Sequence, residues 1–218
     1  MPDHSKLVAV EPLSPQPGII HMAGKIIHAQ GVVIFPAKCL YGIAADAFDP
    51  VAVEKIYNLK KRPRNNPILV LIPELSMLKD LVQEIPDRAR KLINAFWPGN
   101  LTLVFNAQPH ISPLITARTG KIGIRLPQHP VASALCQAVN APITGTSANL
   151  SGQPGCHHIP DLDPFIRDGA DLILDAGPLK GGKGSSVVDV TAPEPRILRH
   201  GEINAKDVWT CLKTGRSQ

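Results

Sequence analysis

Cationic side chains are concentrated at residues 60–63, which read Lys-Lys-Arg-Pro and follow a predicted helix. Cations at a helix C-terminus complement the negative end of the helix dipole, so one interpretation is a solvated helix end. Prolines at 63 and 67 stiffen the turn that follows. A rigid turn suits Lys60 and Arg62 as a clamp for phosphate groups, which is the second interpretation.

Residues 144–149 (Thr-Gly-Thr-Ser-Ala-Asn) directly follow a short predicted strand. Small residues let a backbone approach a ligand, and Ser147 and Asn149 offer a hydroxyl and an amide within one turn. The same composition is typical of an ordinary turn or helix cap. The segment is therefore a candidate ligand loop that does not identify a function by itself.

Residues 177–186 (Gly-Pro-Leu-Lys-Gly-Gly-Lys-Gly-Ser-Ser) nearly match a nucleotide-binding P-loop but differ from it twice. Gly184 stands where Ser or Thr must follow the lysine, and residues 187–190 continue as a predicted strand instead of a helix. Without a helix there is no dipole to hold phosphates. The segment therefore predicts a flexible, basic, glycine-rich loop that closes over a ligand.

Arg125 and Arg199 each end an apolar predicted strand. Such an arginine is often only a surface charge. It can also belong to a binding site, because α/β folds bind ligands in crevices beside strand ends. Two of them in one chain suggest anchors for a carboxylate and a phosphate.

Alternating apolar runs and helical patterns must position these residues. Helices are predicted from Gly18 to a cap at Gly31, from Pro50, near 75–82 and 87–95, at 130–139 and near 206–212; strands are predicted at 32–35, 68–72, 101–105, 122–126, 143–146, 172–175, 187–190 and 197–199. This alternation predicts an α/β fold, and the crowded late strands favour a mixed sheet. We expect one domain over residues 18–203, a loosely packed proline-rich lead-in (1–17), and a C-terminal helix and tail (204–218).

The composition narrows the class of protein and its partners. With 218 residues, of which 44% are hydrophobic, the chain can build one sizeable core. The net charge of +5 favours anionic partners such as nucleotides, phosphates or RNA, although aromatic residues interleaved for base stacking are absent. No apolar run approaches the ~18 residues of a membrane span, and residues 1–4 do not begin a signal-peptide pattern.

The cysteines predict reduced thiols in a cytoplasmic protein, because no Cys-x-x-Cys pair indicates a zinc ribbon or a redox motif. They are Cys39, Cys136, Cys156 and Cys211. Two histidines follow Cys156, but this cluster lacks further ligands and is interpreted as a bystander. No side chain is therefore assigned to a metal.

Taken together and in order, several segments resemble the YrdC-like family. They are residues 31–36 (Gly-Val-Val-Ile-Phe-Pro), 40–42 (Leu-Tyr-Gly), 60–63 (Lys-x-Arg-Pro), 97–102 (Trp-Pro-Gly-Asn-Leu-Thr), 122–127 (Ile-Gly-Ile-Arg-Leu-Pro), 146–149 (Thr-Ser-Ala-Asn) and 185–189 (Ser-Ser-Val-Val-Asp). The resemblance extends over residues 18–203. It implies a single-domain α/β fold with a twisted mixed sheet, flanking helices and a basic concave cleft.

The resemblance also implies an activity. The family joins L-threonine, bicarbonate and ATP, with Mg²⁺, into L-threonylcarbamoyl-AMP and releases pyrophosphate. Partner proteins then transfer the threonylcarbamoyl group to adenosine 37 of tRNA. Negative charge builds on the phosphoryl oxygens during the attack on the α-phosphate, and fixed cations stabilise it without a side-chain nucleophile.

Roles of individual residues follow from the same resemblance. Lys60 and Arg62 are expected to be catalytic. The residues assigned to ATP are Lys60, Arg62, Ser147, Asn149, Gly155 and Arg199, and those assigned to L-threonine are Ala37, Arg125, Gly145 and Ser185.

One segment departs from the family's pattern and leaves alternatives open. Where the family has Pro-Thr-x-Thr, this chain has Pro-Ala-Lys-Cys at 36–39, and Asn66 stands where a basic residue is common. The missing hydroxyls permit a related enzyme that adenylates a different carbamate. A further alternative is a non-catalytic protein that binds tRNA or double-stranded RNA through its basic face.

Overall fold

The computed structural model of the protein describes residues 6–213, which form eleven strands and eight α-helices. The strands are β1 (Leu7–Ala9), β2 (Val33–Pro36), β3 (Tyr41–Ala44), β4 (Val70–Leu71), β5 (Leu101–Asn106), β6 (Lys121–Arg125), β7 (Ile143–Thr144), β8 (Thr146–Ser147), β9 (Leu172–Asp175), β10 (Ser186–Asp189) and β11 (Arg196–Arg199). The helices are α1 (Pro17–His28), α2 (Pro50–Lys60), α3 (Leu78–Leu81), α4 (Asp87–Phe96), α5 (Pro113–Thr116), α6 (Pro130–Val139), α7 (Pro164–Gly169) and α8 (Ala205–Lys213).

The strands form two mixed sheets. The first has the order β1-β9-β2-β3-β8, and the second has the order β11-β10-β5-β6-β4-β7. Each sheet contains parallel and antiparallel pairs, for example β2 with β9 and β2 with β3 in the first. The predicted mixed α/β fold is therefore confirmed, while the expected single sheet is divided into two.

The two sheets meet at residues 143–147, where the predicted strand 143–146 is interrupted. Strand β7 pairs with β4 in the second sheet, and β8 pairs with β3 in the first, so only Gly145 separates two strands of different sheets. A Cβ at position 145 would lie 2.6 Å from Cγ of Leu71, closer than packed atoms approach. Gly145 therefore lets the chain cross from one sheet to the other in contact with β4.

Local sequence determines the ends of the helices that flank the sheets. At α2, the Asp49 carboxylate accepts hydrogen bonds from the backbone N–H groups of Val51 and Ala52, as the predicted N-cap requires. At α1, the left-handed residue is Gln30 (φ 65°), and the N–H of Gly31 donates to the carbonyl of Ile26 in a Schellman arrangement. The predicted cap at Gly31 is thus displaced by one residue.

Two apolar clusters hold the elements together. One cluster packs α1 and α6 against β2 and β9, and the larger one packs α2, α4 and the second sheet. The helix α8 contributes to the larger cluster through Val208, whose exposure is 0%. Among residues 6–213, no helix is long and apolar enough to cross a membrane.

The described part of the N-terminal segment differs from the loosely packed lead-in expected for residues 1–17. Strand β1 pairs in parallel with β9, and the side chain of Val10 is only 4% exposed. Residues 1–5 lie outside the described residues. Backbone pairing and burial therefore make residues 7–10 part of the first sheet, and the domain boundary at residue 18 remains a prediction.

Candidate functional site

A cleft of about 430 Å³ lies where the two sheets meet. Its walls come from the β2–β3 turn, the seam at residues 145–147, the end of β6, and the glycine-rich loop with β11. The predicted site residues that line it are Ala37, Arg62, Arg125, Gly145, Ser147, Ser185 and Arg199. Residues far apart in the sequence are thus brought to one place.

Arg62 is held at the cleft by the turn that follows α2. Its Nε donates to the carbonyl of Asn66 at 3.1 Å, and its Nη2 donates to the carbonyl of Pro67 at 2.7 Å. The proline-stiffened turn therefore orients the guanidinium through neutral acceptors. Burial lowers the pKa of Arg62 from its ordinary value.

Arg199 ends β11 and is fixed by Ser185 across the adjacent strand. Its Nε and Nη2 donate to the carbonyl of Ser185 at 3.0 and 2.8 Å, and Nη2 also donates to its hydroxyl at 2.9 Å. The Ser185 hydroxyl is in turn 2.8 Å from the hydroxyl of Thr102. Burial lowers the pKa of Arg199, and the positive charge of Arg62 lowers it further, so the two guanidiniums share one electrostatic environment.

Arg125 ends β6 and is only 7% exposed. Its Nη1 donates to Oδ1 of Asn100 at 3.0 Å, while its Nε is buried without a hydrogen-bond partner. Burial, with a smaller effect from Arg199, lowers the pKa of Arg125 to about 10, so the side chain is charged at neutral pH. A buried cation with unused hydrogen-bonding capacity has the charge and the donors that suit an anion.

No carboxylate neutralises these three guanidiniums. Within residues 6–213, no ion pair joins Arg62, Arg125 or Arg199 to an acidic side chain. Each is oriented by carbonyl, hydroxyl or amide oxygens instead. The cleft therefore concentrates uncompensated positive charge, as the predicted basic concave cleft requires.

Lys60 does not line this cleft, although it was expected to contact phosphates. Its side chain is 1% exposed, and its Nζ donates to the carbonyls of Ser147 and Asn149, the latter at 2.7 Å. Burial, with a smaller effect from Arg62, lowers the pKa of Lys60 to about 7. The amino group is therefore not a solvated helix end, because it holds residues 147–149 in place from behind, and its assignment to ATP stays a prediction.

Asn149 and Gly155 line a neighbouring cavity of about 450 Å³, not the cleft that contains Arg199. The backbone of Tyr41 lies between them and the cleft, because it pairs with Ala148 and with Cys156. Nδ2 of Asn149 donates to the carbonyls of Leu150 and Gln153, whereas its Oδ1 is buried without a partner. Asn149 thus lies in the cavity beside the cleft that Ser147 and Arg199 line, and its assignment to ATP stays a prediction.

Ala37 lines the cleft from a tight turn between β2 and β3. The N–H of Ala37 donates to the carbonyl of Leu40 at 3.1 Å, which closes the turn. Within this turn, Lys38 has a φ of 146°, a backbone conformation that residues other than glycine rarely adopt. The methyl group of Ala37 and the thiol of Cys39 thus stand at the cleft where the family's pattern has hydroxyls.

The glycine-rich loop borders the cleft through Lys183 and Gly184. Gly177, Gly181 and Gly182 have φ values of 77°, 73° and 90°, which explains why glycine recurs there. The loop is anchored, since the N–H of Gly181 donates to the carbonyl of Cys39 at 2.9 Å. It lies over the cleft without forming the P-loop that its sequence nearly matches.

Asn100 is a cleft residue to which the sequence analysis assigns no role. It follows a cis Trp97–Pro98 peptide and a glycine, and its side chain lies beside Arg125 and Cys39. The motif Trp-Pro-Gly-Asn was the available signal, because a buried asparagine next to a strand start needs polar partners. Cys156, by contrast, donates to the carbonyl of His158, as expected of a bystander.

The fold and cleft define a class of α/β proteins with an arginine-lined cleft between two mixed sheets. The chain belongs to the Sua5/YciO/YrdC family: the family's sequence model, described as "Telomere recombination", matches residues 25–201. This finding confirms the family that the motifs indicated.

Curated relatives and solved structures extend the comparison. The threonylcarbamoyl-AMP synthase of Bacillus subtilis is 39% identical over 194 residues, covering 87% of this chain and 55% of that protein. A Mycobacterium tuberculosis relative is 37% identical over 195 residues, covering 89% of each. The structure of Pyrococcus abyssi Sua5 complexed with L-threonine matches with a TM-score of 0.88 at 30% identity, covering 95% of this chain and 61% of that one.

Proposed function

We propose that the chain catalyses the ATP-dependent synthesis of L-threonylcarbamoyl-AMP from L-threonine and bicarbonate, with release of pyrophosphate. Membership of the family, and relatives that carry the name of this synthase, support the proposal. So does the L-threonine bound to the Pyrococcus abyssi protein. The chain spans about half the length of the Bacillus subtilis relative, so the activity of that whole protein is carried over only as part of this proposal.

The observation that carries the proposal is the set of three guanidiniums in one cleft without acidic partners. The reactants carry a carboxylate, a carbamate and a triphosphate, all of which are anions. Arg125 is the buried cation suited to the amino-acid carboxylate, and Arg62 and Arg199 are suited to phosphates. Arginine, with its planar fork of donors, matches both kinds of group.

The chemistry follows from charge. The amine of threonine takes up bicarbonate with loss of water to form a carbamate, and a carbamate oxygen then attacks the α-phosphate. The new P–O bond forms while the bond to pyrophosphate breaks, so charge grows on the phosphoryl oxygens. Arg62 and Arg199 stabilise that charge, while Ser185 holds Arg199 in position.

Mg²⁺ would enter this reaction with ATP. Among residues 6–213, no group of three or more His, Cys, Asp or Glu side chains is placed to hold a metal ion. Mg²⁺ commonly keeps several waters and is bound through substrate phosphates, so the phosphates would supply its ligands here. The chain's own contribution is the arginines that position those phosphates.

The product would serve threonylcarbamoylation of adenosine 37 in tRNA, through downstream transfer proteins in the cytoplasm. The resemblance supports this pathway, and the net charge of +5 is compatible with an RNA partner. Lys60, Asn149 and Gly155 remain part of the proposed ATP region, with Lys60 acting through the loop it holds.

The direct test is adenylate formation from ATP and bicarbonate with a panel of amino acids, measured through the pyrophosphate that is released. We expect turnover to be highest with L-threonine. Absence of pyrophosphate release with every amino acid would refute the synthase. Retention of tRNA or double-stranded RNA by the inactive protein would then favour the RNA-binding alternative.

A second candidate is an enzyme that adenylates a different carbamate. Ala37 and Cys39 line the cleft where the family's pattern has hydroxyls, which favours a less polar amino-acid side chain. In the same panel, a higher kcat/KM with another amino acid than with L-threonine would support this candidate and leave the adenylate chemistry unchanged.

A further inference from the structure

Glu202 follows β11 and has a tightly fixed backbone. Its N–H donates to the carbonyl of Gly184 at 3.0 Å, and the N–H of the preceding Gly201 donates to the hydroxyl of Ser186 at 3.0 Å. A Cβ at position 201 would lie 2.3 Å from the carbonyl carbon of Ser185. Only glycine permits this contact, so residues 201 and 202 are held against the strand that carries Ser185.

The Glu202 carboxylate joins three separate segments around the cleft. It accepts a hydrogen bond from Nδ2 of Asn100, and it forms ion pairs of 3.3 Å each with Nζ of Lys38 and Nζ of Lys180. Lys38 belongs to the β2–β3 turn, and Lys180 belongs to the glycine-rich loop. Burial raises the pKa of Glu202, but these three partners together lower it more, so the carboxylate is ionised at neutral pH.

Asn100 connects this carboxylate to the buried guanidinium. Its Nδ2 donates to Glu202, and its Oδ1 accepts from Nη1 of Arg125 at 3.0 Å. A direct Arg–Glu pair would neutralise the cation that the substrate needs. An amide between them orients Arg125 and fixes which way the asparagine points, without placing an anion against it.

The same carboxylate reinforces a backbone contact between the two loops. The N–H of Gly181 donates to the carbonyl of Cys39 at 2.9 Å, and each of these residues is the sequence neighbour of a lysine that Glu202 binds. The φ of 146° strains the backbone of Lys38, and the ion pair of Lys38 with Glu202 is a contact that can stabilise this conformation.

We propose that Glu202 is a positioning residue: through Asn100 it orients Arg125 for a carboxylate ligand, and through Lys38 and Lys180 it ties the β2–β3 turn to the glycine-rich loop. The assignment of that ligand as the amino-acid substrate rests on the proposed function. The connection of the two loops does not.

The kinetic arm compares Glu202→Ala with Glu202→Gln. In the Ala variant, we expect the KM for L-threonine to rise about tenfold with kcat and the KM for ATP little changed, as expected for losing one charge-assisted hydrogen bond. The Gln variant keeps an acceptor for Asn100 but loses both ion pairs, so its KM for L-threonine should stay within about twofold of the wild type. Glu194→Ala is the matched control, because Glu194 is exposed between β10 and β11.

The second arm measures amide hydrogen exchange at Gly181 and does not require turnover. Both Glu202 variants should accelerate that exchange by about fivefold or more, while Glu194→Ala should not. Unchanged exchange in Glu202→Ala would overturn the connection of the loops. In Glu202→Ala, an unchanged KM for L-threonine, or an equal rise in the KM values for L-threonine and ATP, would overturn the orientation of Arg125. A wild type without turnover would refute the proposed function. Calorimetric titration of L-threonine into the wild type and into Glu202→Ala would then test the orientation of Arg125. Weaker binding to the variant would support that orientation, and equal binding to both proteins or no binding to either would overturn it.

Discussion

Lys60 carries its amino group where solvent does not reach, and its two partners are the backbone carbonyls of Ser147 at the end of β8 and of Asn149 in the loop that follows. A buried cation without an anion is costly, so its retention is explained by what it holds. Ser147 lines the cleft and Asn149 the cavity beside it, and both depend on the same ammonium. At the residue scale, Lys60 and Arg62 therefore differ in role although only one residue separates them.

Replacing Lys60 by Met should destabilise the fold. Two buried carbonyls lose their donor, and hydrogen bonds from charged groups contribute roughly 1.5–3 kcal/mol, so we expect the free energy of unfolding to fall by about 2–3 kcal/mol in urea titrations. Lys61→Met is the matched control, because Lys61 is exposed and its Nζ lies 5.0 Å from the ring centroid of Phe165. Its change should stay within about 1 kcal/mol.

The wild-type protein and Lys60→Met should also differ in how their free energy of unfolding depends on pH. The pKa of Lys60 is lowered from 10.5 to about 7 in the fold, so between these values the unfolded chain binds more protons than the folded one. The free energy of unfolding therefore rises with pH across this window, by up to about 1.4 kcal/mol per pH unit. That contribution should disappear in Lys60→Met, and equal slopes in both proteins would show that Lys60 titrates normally.

Arg62→Ala should lower the activity and leave the stability of the fold nearly unchanged. We expect adenylate formation to fall at least about tenfold, or ~1.4 kcal/mol in kcat/KM, because a guanidinium is lost from the phosphate side of the cleft. The melting temperature should hardly change, since the acceptors of Arg62 are solvent-accessible carbonyls. Arg90→Ala on the exposed face of α4 is the control, and near-normal turnover of Arg62→Ala would remove Arg62 from the site.

At the scale of elements, the β2–β3 turn and the seam at Gly145 shape the cleft. The turn brings Ala37 and Cys39 to its wall, and the seam brings Ser147. Neither element is a regular helix or strand of any length. Both depend on backbone conformations that neighbouring sheets impose.

Ala37→Thr should restore a hydroxyl at the cleft. If L-threonine is the substrate, we expect its KM to fall about two- to tenfold, as one hydrogen bond of ~0.5–1.5 kcal/mol predicts, with the KM for ATP unchanged. Ala134→Thr on α6, a half-buried alanine outside the cleft lining, serves as the control. No gain with L-threonine, together with preference for another amino acid, would favour the second candidate function.

Gly145→Ala should strain the seam. The added methyl would meet Cγ of Leu71 at 2.6 Å, and overpacking of this kind costs about 1–3 kcal/mol in the free energy of unfolding, measurable in urea. Adenylate formation should fall as well, because the cleft wall moves. At Gly18, a Cβ would meet nothing within 4 Å, so Gly18→Ala in α1 should be neutral or stabilising. Equal stability of the two variants would contradict the close packing.

Sequence patterns predicted the elements whose ends carry their own chemistry. The helices α2 and α6 begin at a proline in the first helical position, and β9 is a continuous apolar run, so all three were predicted with correct type and nearly correct ends. The helices α5 and α7 have only four and six residues, which is too short to show a helical period. Strand β3 was missed because glycine interrupts its apolar pattern.

Predictability of the site divides in the same manner. Arginines at strand ends could be assigned to one cleft because strand ends gather there. The positions of Lys60 and Asn149 could not, because each depends on which way one side chain points across the seam. No local pattern encodes that direction.

At the scale of the whole molecule, both ends of the described chain pack against the rest of the fold. Strand β1 extends the first sheet, and α8 packs on α4, where the thiol of Cys211 donates to the carbonyl of Lys91. The expected division into residues 18–203 with flanking segments would cut through both contacts.

A fragment of residues 18–203 should therefore be less stable than the full chain. It loses the buried side chains of Val10 and Val208, each worth about 1.5–3 kcal/mol, and the hydrogen bonds of β1. The midpoint of urea unfolding, followed by circular dichroism, measures the loss. A fragment that unfolds at the same midpoint as the full chain would establish residues 18–203 as the autonomous unit.

The three guanidiniums without acidic partners have a consequence for any measurement of stability. Like charges held together in a folded cleft repel one another, and unfolding separates them, so the empty protein carries a penalty that a bound anion removes. We therefore expect phosphate or sulfate that binds in this cleft to stabilise the folded state by mass action, in proportion to the logarithm of its concentration once the site fills. The melting temperature would then depend on the buffer as well as on the chain, so variants are to be compared at a constant concentration of the buffer anion.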